Sequence, residues 1–194
     1  MARVLALSGT PGVGKTAVAA RLKTMMNAEI LSIGEFVTTN DLYEEWDNDR
    51  STRIVDEDKA RNALLREIER ARARNDIEWL IVEGLMADII ADECDQALVL
   101  RLDPRVVKKR LEQRGYDKAK IGENVQSELL GTCTYHMQEM RGDDFADINT
   151  TGMTISEVAA IVAAIMQDKA NKQAYKPGLV DWITRPDIDP VRFF

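Results

Sequence analysis

Eight residues near the start of the chain, Gly9-Thr-Pro-Gly-Val-Gly-Lys-Thr16, limit its possible folds more than any other feature. They follow the apolar run Val4–Leu7 and precede a helical pattern with Val18, Leu22 and Met25 on one side. Gly9-x-x-x-x-Gly14-Lys15-Thr16 fits G-x-x-x-x-G-K-[ST] in the strand–loop–helix setting the motif needs. Glycines let backbone N–H groups converge on a phosphate, and the helix N-terminus adds partial positive charge. Lys15 then reaches the β- and γ-phosphates of a nucleotide, and the Thr16 hydroxyl belongs on Mg²⁺. The loop alone leaves the chemistry open among motor, switch, hydrolase and kinase.

Further along, Glu29–Ile33 is a strand candidate, Trp79–Val82 and Gln96–Leu102 read as buried strands, and a last short strand is expected at Ile148. Between them, residues 56–74 predict a helix with an acidic first turn, an apolar stripe of Leu64, Leu65, Ile68 and Ala71, and Arg70, Arg72 and Arg74 near its end. Asp103-Pro104 opens another helix that Gly115 closes. Residues 117–140 predict one or two helices, and Thr154-x-x-Glu157 is a capping box before Val158–Met166. The polar stretch Asp41–Arg53 lacks a period and reads as loop. Strands alternating with helices predict an α/β fold, a parallel sheet with helices on both faces. Residues 1–174 make up this unit, and the proline- and aromatic-containing tail 175–194 follows it, with Trp182 and the Phe193–Phe194 pair expected to pack back on the core.

A net charge of −7 argues against a protein that coats nucleic acid indiscriminately. Charge is uneven, however: from Arg101 to Lys120, eight Lys and Arg face three acids, which predicts a local basic face. Cys94 and Cys133 lie far apart and form no C-x-x-C pair, as suits a reducing compartment. Strand pattern by residue 3 leaves no room for a signal peptide, and no apolar run is long enough to span a bilayer. A cytoplasmic protein without a membrane partner is expected.

Phosphate-loop chemistry needs an acid at the end of a neighbouring strand, and Glu83 after Leu80-Ile-Val82 stands there. Asp103, just before Pro104, is better explained as an N-cap. Arg110 and Arg114 are four apart and share a helix face, where they can offset charge on a loose phosphoryl transition state. The single histidine, His136, lies in a polar helical stretch and reads as a surface residue. An acceptor that is already an anion, such as a nucleoside monophosphate, needs no strong general base.

Together these segments resemble the archaeal adenylate kinases related to eukaryotic adenylate kinase isoenzyme 6, a small P-loop kinase linked to ribosome assembly. The resemblance rests on GTPGVGKT, on SIGEF…DLYEEWD followed by IVDEDK (Ile54–Lys59), and on VLRLD…RLEQRGYDKAKIGENVQSE (Val99–Glu128), and covers most of residues 3–131. It implies the nucleoside monophosphate kinase fold, a five-stranded parallel sheet with a monophosphate-binding insert at about 33–55 and a short lid at about 113–123. ATP binding is expected at Gly9, Gly12, Val13, Gly14, Lys15, Thr16, Ala17 and Arg114; Lys15, Arg110 and Arg114 are the expected catalytic residues, and Thr16 and Glu83 the Mg²⁺ pair. The implied reaction is ATP + AMP to two ADP, with some tolerance of other monophosphates and some ATPase activity. The implied partner is small-subunit ribosomal protein uS11, and the implied role is rRNA maturation. Two departures stand out: Leu85 takes a place where the family usually carries histidine, and Phe36-Val37-Thr38 lacks the family's arginine. An ATPase assembly factor, or a shikimate- or gluconate-type kinase on the same fold, are the alternatives.

Overall fold

A computed structural model of the chain describes residues 1–47 and 52–193. β1 (Arg3–Ser8) leads through the glycine loop into α1 (Lys15–Met25), followed by β2 (Ala28–Ser32) and α2 (Ile33–Thr39). The strands β3 (Tyr43–Asp47) and β4 (Thr52–Val55) precede α3 (Glu57–Arg72), β5 (Trp79–Glu83) and a 3-10 helix, Ala87–Glu93. Then come β6 (Gln96–Arg101), α4 (Pro104–Gln113), α5 (Lys118–Leu130), α6 (Thr132–Arg141), β7 (Ala146–Asn149) and α7 (Ile155–Met166). Two 3-10 turns, Lys172–Tyr175 and Pro190–Phe193, are the regular parts of the C-terminal segment.

Five strands form one sheet in the order β2-β5-β1-β6-β7, every pair parallel. Continuous apolar runs are what such strands require, because both faces are covered. Leu5, Leu7, Ile81, Leu98 and Leu100 pack on one face against residues of α1, α4, α5 and α7. The alternate residues Val4, Ala6, Leu80, Val82, Ala97 and Val99 pack on the other against α2, α3, α6 and the 3-10 helix. At the C-terminal end of β1, Leu7 lies opposite Glu83 and Ser8 opposite Val99. The glycine loop therefore leaves the sheet from its centre, with the end of β5 beside it.

Helix starts follow the side-chain chemistry in the sequence. Asp56, Asp103 and Asp117 each accept a backbone N–H of the first turn, and Pro104 occupies the first turn of α4. Thr154 and Glu157 form a reciprocal capping box at α7.

Several expectations are corrected. Asp41–Arg53 is not loop throughout: β3 and β4 pair antiparallel in a separate two-stranded sheet, with an irregular register between Tyr43 and Trp46. That irregularity breaks the alternation a strand would otherwise display; residues 48–51 of the stretch lie outside the described residues. Ile33 opens α2 rather than ending β2, and its side chain is buried where a Cβ on Gly84 would meet it at 2.8 Å. Met25, 43% exposed, ends α1 without joining the core. Arg74 lies beyond α3 and pairs with Glu29 and Asp76. The basic run is not one surface face either: Arg101 is buried, and Arg105 is held by Asp103 and Asp187.

The C-terminal segment lies on the core, with Trp182 only 1% exposed and packed with Leu129 and Ile188. Phe193 is partly buried against the same group, and Phe194 lies outside the described residues. Among the described residues no helix is long and apolar enough to cross a membrane.

Candidate active site

The glycine loop is shaped by backbone that side chains would obstruct. A Cβ on Gly9 would come within 2.5 Å of the Leu100 carbonyl oxygen, and Gly14 sits in the left-handed region at φ 111°. Gly14 is the N-cap of α1 and offers no side chain, so the first-turn N–H groups of α1 keep no side-chain partner. Gly12 and Val13 are buried at the crown of the loop, and Ala17 is exposed on the first turn of α1.

Lys15 folds over this loop. Its Nζ donates to the Gly9 carbonyl at 2.5 Å and to the Thr10 carbonyl at 3.3 Å. Burial pulls the ammonium below the ordinary lysine range, while the nearby Cys133, Glu83 and Glu128 pull it back and Arg114 lowers it further. Thr16 Oγ1 donates to Glu83 Oε1 at 3.1 Å, so the two residues expected to share a metal are already in contact. Hydroxyl and carboxylate are hard oxygen donors, and they fit an ion that keeps most of its water and takes the rest of its ligands from phosphate.

Arg110 and Arg114 separate in their contacts. Arg110, half-buried, donates to the carbonyls of Gly12 at 3.0 Å and Val13 at 3.3 Å. Arg114 caps the C-terminus of α4 with its side chain exposed, close enough to Lys15 for its charge to be felt there. All the expected site residues therefore gather around one loop, with Arg114 at its outer edge.

Two features escaped the sequence reading. One is a buried polar network: Glu128 accepts from Thr10 Oγ1 at 2.7 Å, Arg101 Nε at 2.9 Å and Trp182 Nε1 at 3.0 Å. Arg101 also donates to Thr134 and, at 3.5 Å, to Asp147. A signal was present: Arg101 closes an apolar strand, and Glu128 falls in register with Ile121, Val125 and Leu129 on the buried face of α5. A charge on an apolar face demands a partner.

The second is a cavity of about 460 Å³ beyond the end of β5, lined by Leu85, Glu57, Asp88, Cys133, His136 and Glu139 among others. It adjoins the loop through Cys133, whose Sγ is 4.0 Å from Thr10 Oγ1. Burial raises the Asp88 carboxyl, and His136 offsets part of that shift. His136 is exposed, as expected, yet it lines this cavity. Leu85 is 47% exposed at its rim.

Comparison with known proteins bears on the family and the fold of the chain. Residues 5–131 match the family model described as AAA domain. A protein of Saccharolobus islandicus (strain Y.G.57.14 / Yellowstone #1) is 31% identical over 93% of this chain and 87% of its own length. One from Methanosarcina acetivorans is 34% identical over 93% of this chain and 97% of its own. Both carry the name "Putative adenylate kinase". Among solved structures, the tunicamycin resistance protein of Deinococcus radiodurans superposes with a TM-score of 0.56 at 22% identity, covering 86% of this chain and 96% of that one. Thymidylate kinase from Candida albicans superposes with a TM-score of 0.50 at 14% identity, covering 88% and 93%. These last two likenesses concern the fold, a P-loop α/β sheet of the nucleoside monophosphate kinase type.

Proposed function

Because the chain belongs to the family of these archaeal adenylate kinases and is a phosphotransferase of the nucleoside monophosphate kinase type, we propose that it moves the γ-phosphate of ATP to AMP, giving two ADP. The observation that carries the reading is the convergence of Lys15 and Arg110 and the Thr16–Glu83 pair on one glycine loop at an uncapped helix N-terminus. In this reading Lys15 exchanges the Gly9 and Thr10 carbonyls for phosphate oxygens, and the first-turn N–H groups of α1 receive the rest. Arg114, the freer guanidinium, offsets charge on the transferring group, and Arg110 holds the loop that receives the donor. Thr16 and Glu83 would hold Mg²⁺, which would supply positive charge to offset that of the donor phosphates. Gly9, Gly12, Val13, Gly14 and Ala17 line the nucleotide. Residues 1–174 form the kinase unit, with 33–55 as the acceptor-binding insert and 113–123 as the lid.

A second reading, an ATPase whose cycle serves assembly, is favoured by one specific observation. Among the described residues that line it, the cavity beside the loop presents Glu57, Asp88 and Glu139 and no Lys or Arg. An acceptor phosphate would find no Lys or Arg among these described residues; a water molecule needs none. On this reading the family resemblance extends to the isoenzyme 6 group, with ribosomal protein uS11 as partner and small-subunit RNA maturation as the setting. The net charge of −7 suits a basic ribosomal protein better than naked RNA.

A coupled assay of ADP formation from ATP, with and without AMP, separates the two. Strong stimulation with two ADP formed per AMP consumed supports the kinase. A rate indifferent to AMP that rises with uS11 supports the ATPase. No turnover under either condition sinks both.

A further inference from the structure

Glu128 is where the glycine loop and the C-terminal segment meet. Its side chain is 1% exposed, and each carboxylate oxygen has a defined task. Oε2 accepts the Thr10 hydroxyl at 2.7 Å; Oε1 accepts Arg101 Nε at 2.9 Å, the Leu102 N–H at 3.1 Å and Trp182 Nε1 at 3.0 Å. Four donors fill the acceptor capacity of one carboxylate, and one of them is a guanidinium. Such a group cannot turn without breaking several bonds at once.

Thr10, itself buried, is the second residue of the loop, and its carbonyl shares Lys15 Nζ with the carbonyl of Gly9. The opposite shoulder of the loop, Gly12 and Val13, is held by Arg110. The loop is thus gripped on both sides: by a cation from α4 and by a carboxylate from α5. Only the carboxylate depends on the C-terminal segment. Space at Trp182 could be filled by any large apolar ring packed on Leu129 and Ile188; what the indole adds is a donor aimed at Glu128.

We infer that Glu128 is a positioning residue for the phosphate loop, and that the C-terminal segment, through Trp182, fixes Glu128 in the orientation the loop requires. The inference rests on the reading of the loop as the ATP site. Replacing Glu128 itself would strand the buried Arg101 guanidinium and confuse position with stability. Trp182→Phe is cleaner, because it removes the donor and keeps a ring, though a smaller one, against Leu129 and Ile188. Thr10→Val removes the hydroxyl at the other end.

ATP affinity in the presence of Mg²⁺, measured by titration calorimetry on the full chain below its melting temperature, is the readout. Each variant is expected to weaken ATP by about 3- to 10-fold, the scale of one lost hydrogen bond to a charged group. The double variant is expected to be no weaker than the more affected single one, since both break one connection. Wild-type affinity in Trp182→Phe, or losses that multiply in the double variant, would overturn the inference. Thr10→Ser, which restores the hydroxyl, is expected to recover wild-type affinity; a Ser variant as weak as Val counts against it, and this pair decides the matter should Trp182→Phe fail to fold. Lys15→Ala run alongside tests the premise separately: unchanged ATP affinity there would overturn the loop reading itself.

Discussion

Arg110 in the last turn of α4 and Arg114 at its C-cap stand four residues apart, a spacing that by itself does not rank them. Their surroundings do: Arg110 donates to two loop carbonyls, whereas Arg114 is exposed and holds no carbonyl among the described residues. Arg114→Ala is therefore expected to lower kcat on the order of 10³-fold, the scale of a guanidinium acting on a transferring phosphoryl group, with Tm unchanged. Arg110→Ala is expected to raise the KM for ATP and lower Tm together, because it releases one shoulder of the loop. Steady-state kinetics and thermal melts on the two variants check this. A less than threefold loss of kcat in Arg114→Ala would remove it from the chemistry. The residue types at the site were legible because the motif fixes them by spacing; the division of labour was not, since it depends on where a guanidinium four bonds from its backbone comes to rest.

At the scale of elements, local chemistry that the sequence states outright recurs in the structure. Asp103-Pro104 starts α4, and Thr154 with Glu157 caps α7. Thr154→Ala is expected to cost about 1 kcal/mol of stability, the usual worth of an N-cap, and denaturant unfolding would read it. A cost near zero would mean that packing of Val158, Val162 and Ile165 alone holds α7. β1, β5 and β6 were legible because each is a short apolar run buried along nearly all its length, whereas β2 is only partly buried and β7 has just four residues. The β3–β4 pair was not legible, because its irregular register hides the alternation and only its outer ends, Tyr43 and Val55, pack against the core. Glu128 escaped for a related reason: its partners, Thr10, Arg101 and Trp182, come from three distant segments, and only the fold assembles them.

Across the whole molecule, the buried network joins β1's loop, β6, α5, α6, β7 and the C-terminal segment, so its charge state bears on global stability. Burial pushes the Asp147 carboxyl up to about 6 from an ordinary 3.8, against the pull of the Arg101 guanidinium. Between those values the folded chain holds a proton that the unfolded chain releases. This group therefore favours folding most below about pH 4 and loses that contribution as pH rises through about 6. Asp147→Asn, which does not titrate, is expected to gain Tm relative to wild type on going from about pH 4.5 to pH 7. A difference in Tm that stays constant with pH would assign the proton elsewhere.

The span of the same network also bears on synthesis. The Thr10 hydroxyl finds its acceptor 118 residues downstream at Glu128, and Glu128 finds the Trp182 indole 54 residues further on. A ribosome thus extrudes the glycine loop first and its anchors much later, so a growing chain carries the nucleotide motif long before it carries the contacts that hold it. Closing so long a span is slow in folding terms. Until those anchors emerge, the nascent chain has the motif's letters without the contacts that hold its shape.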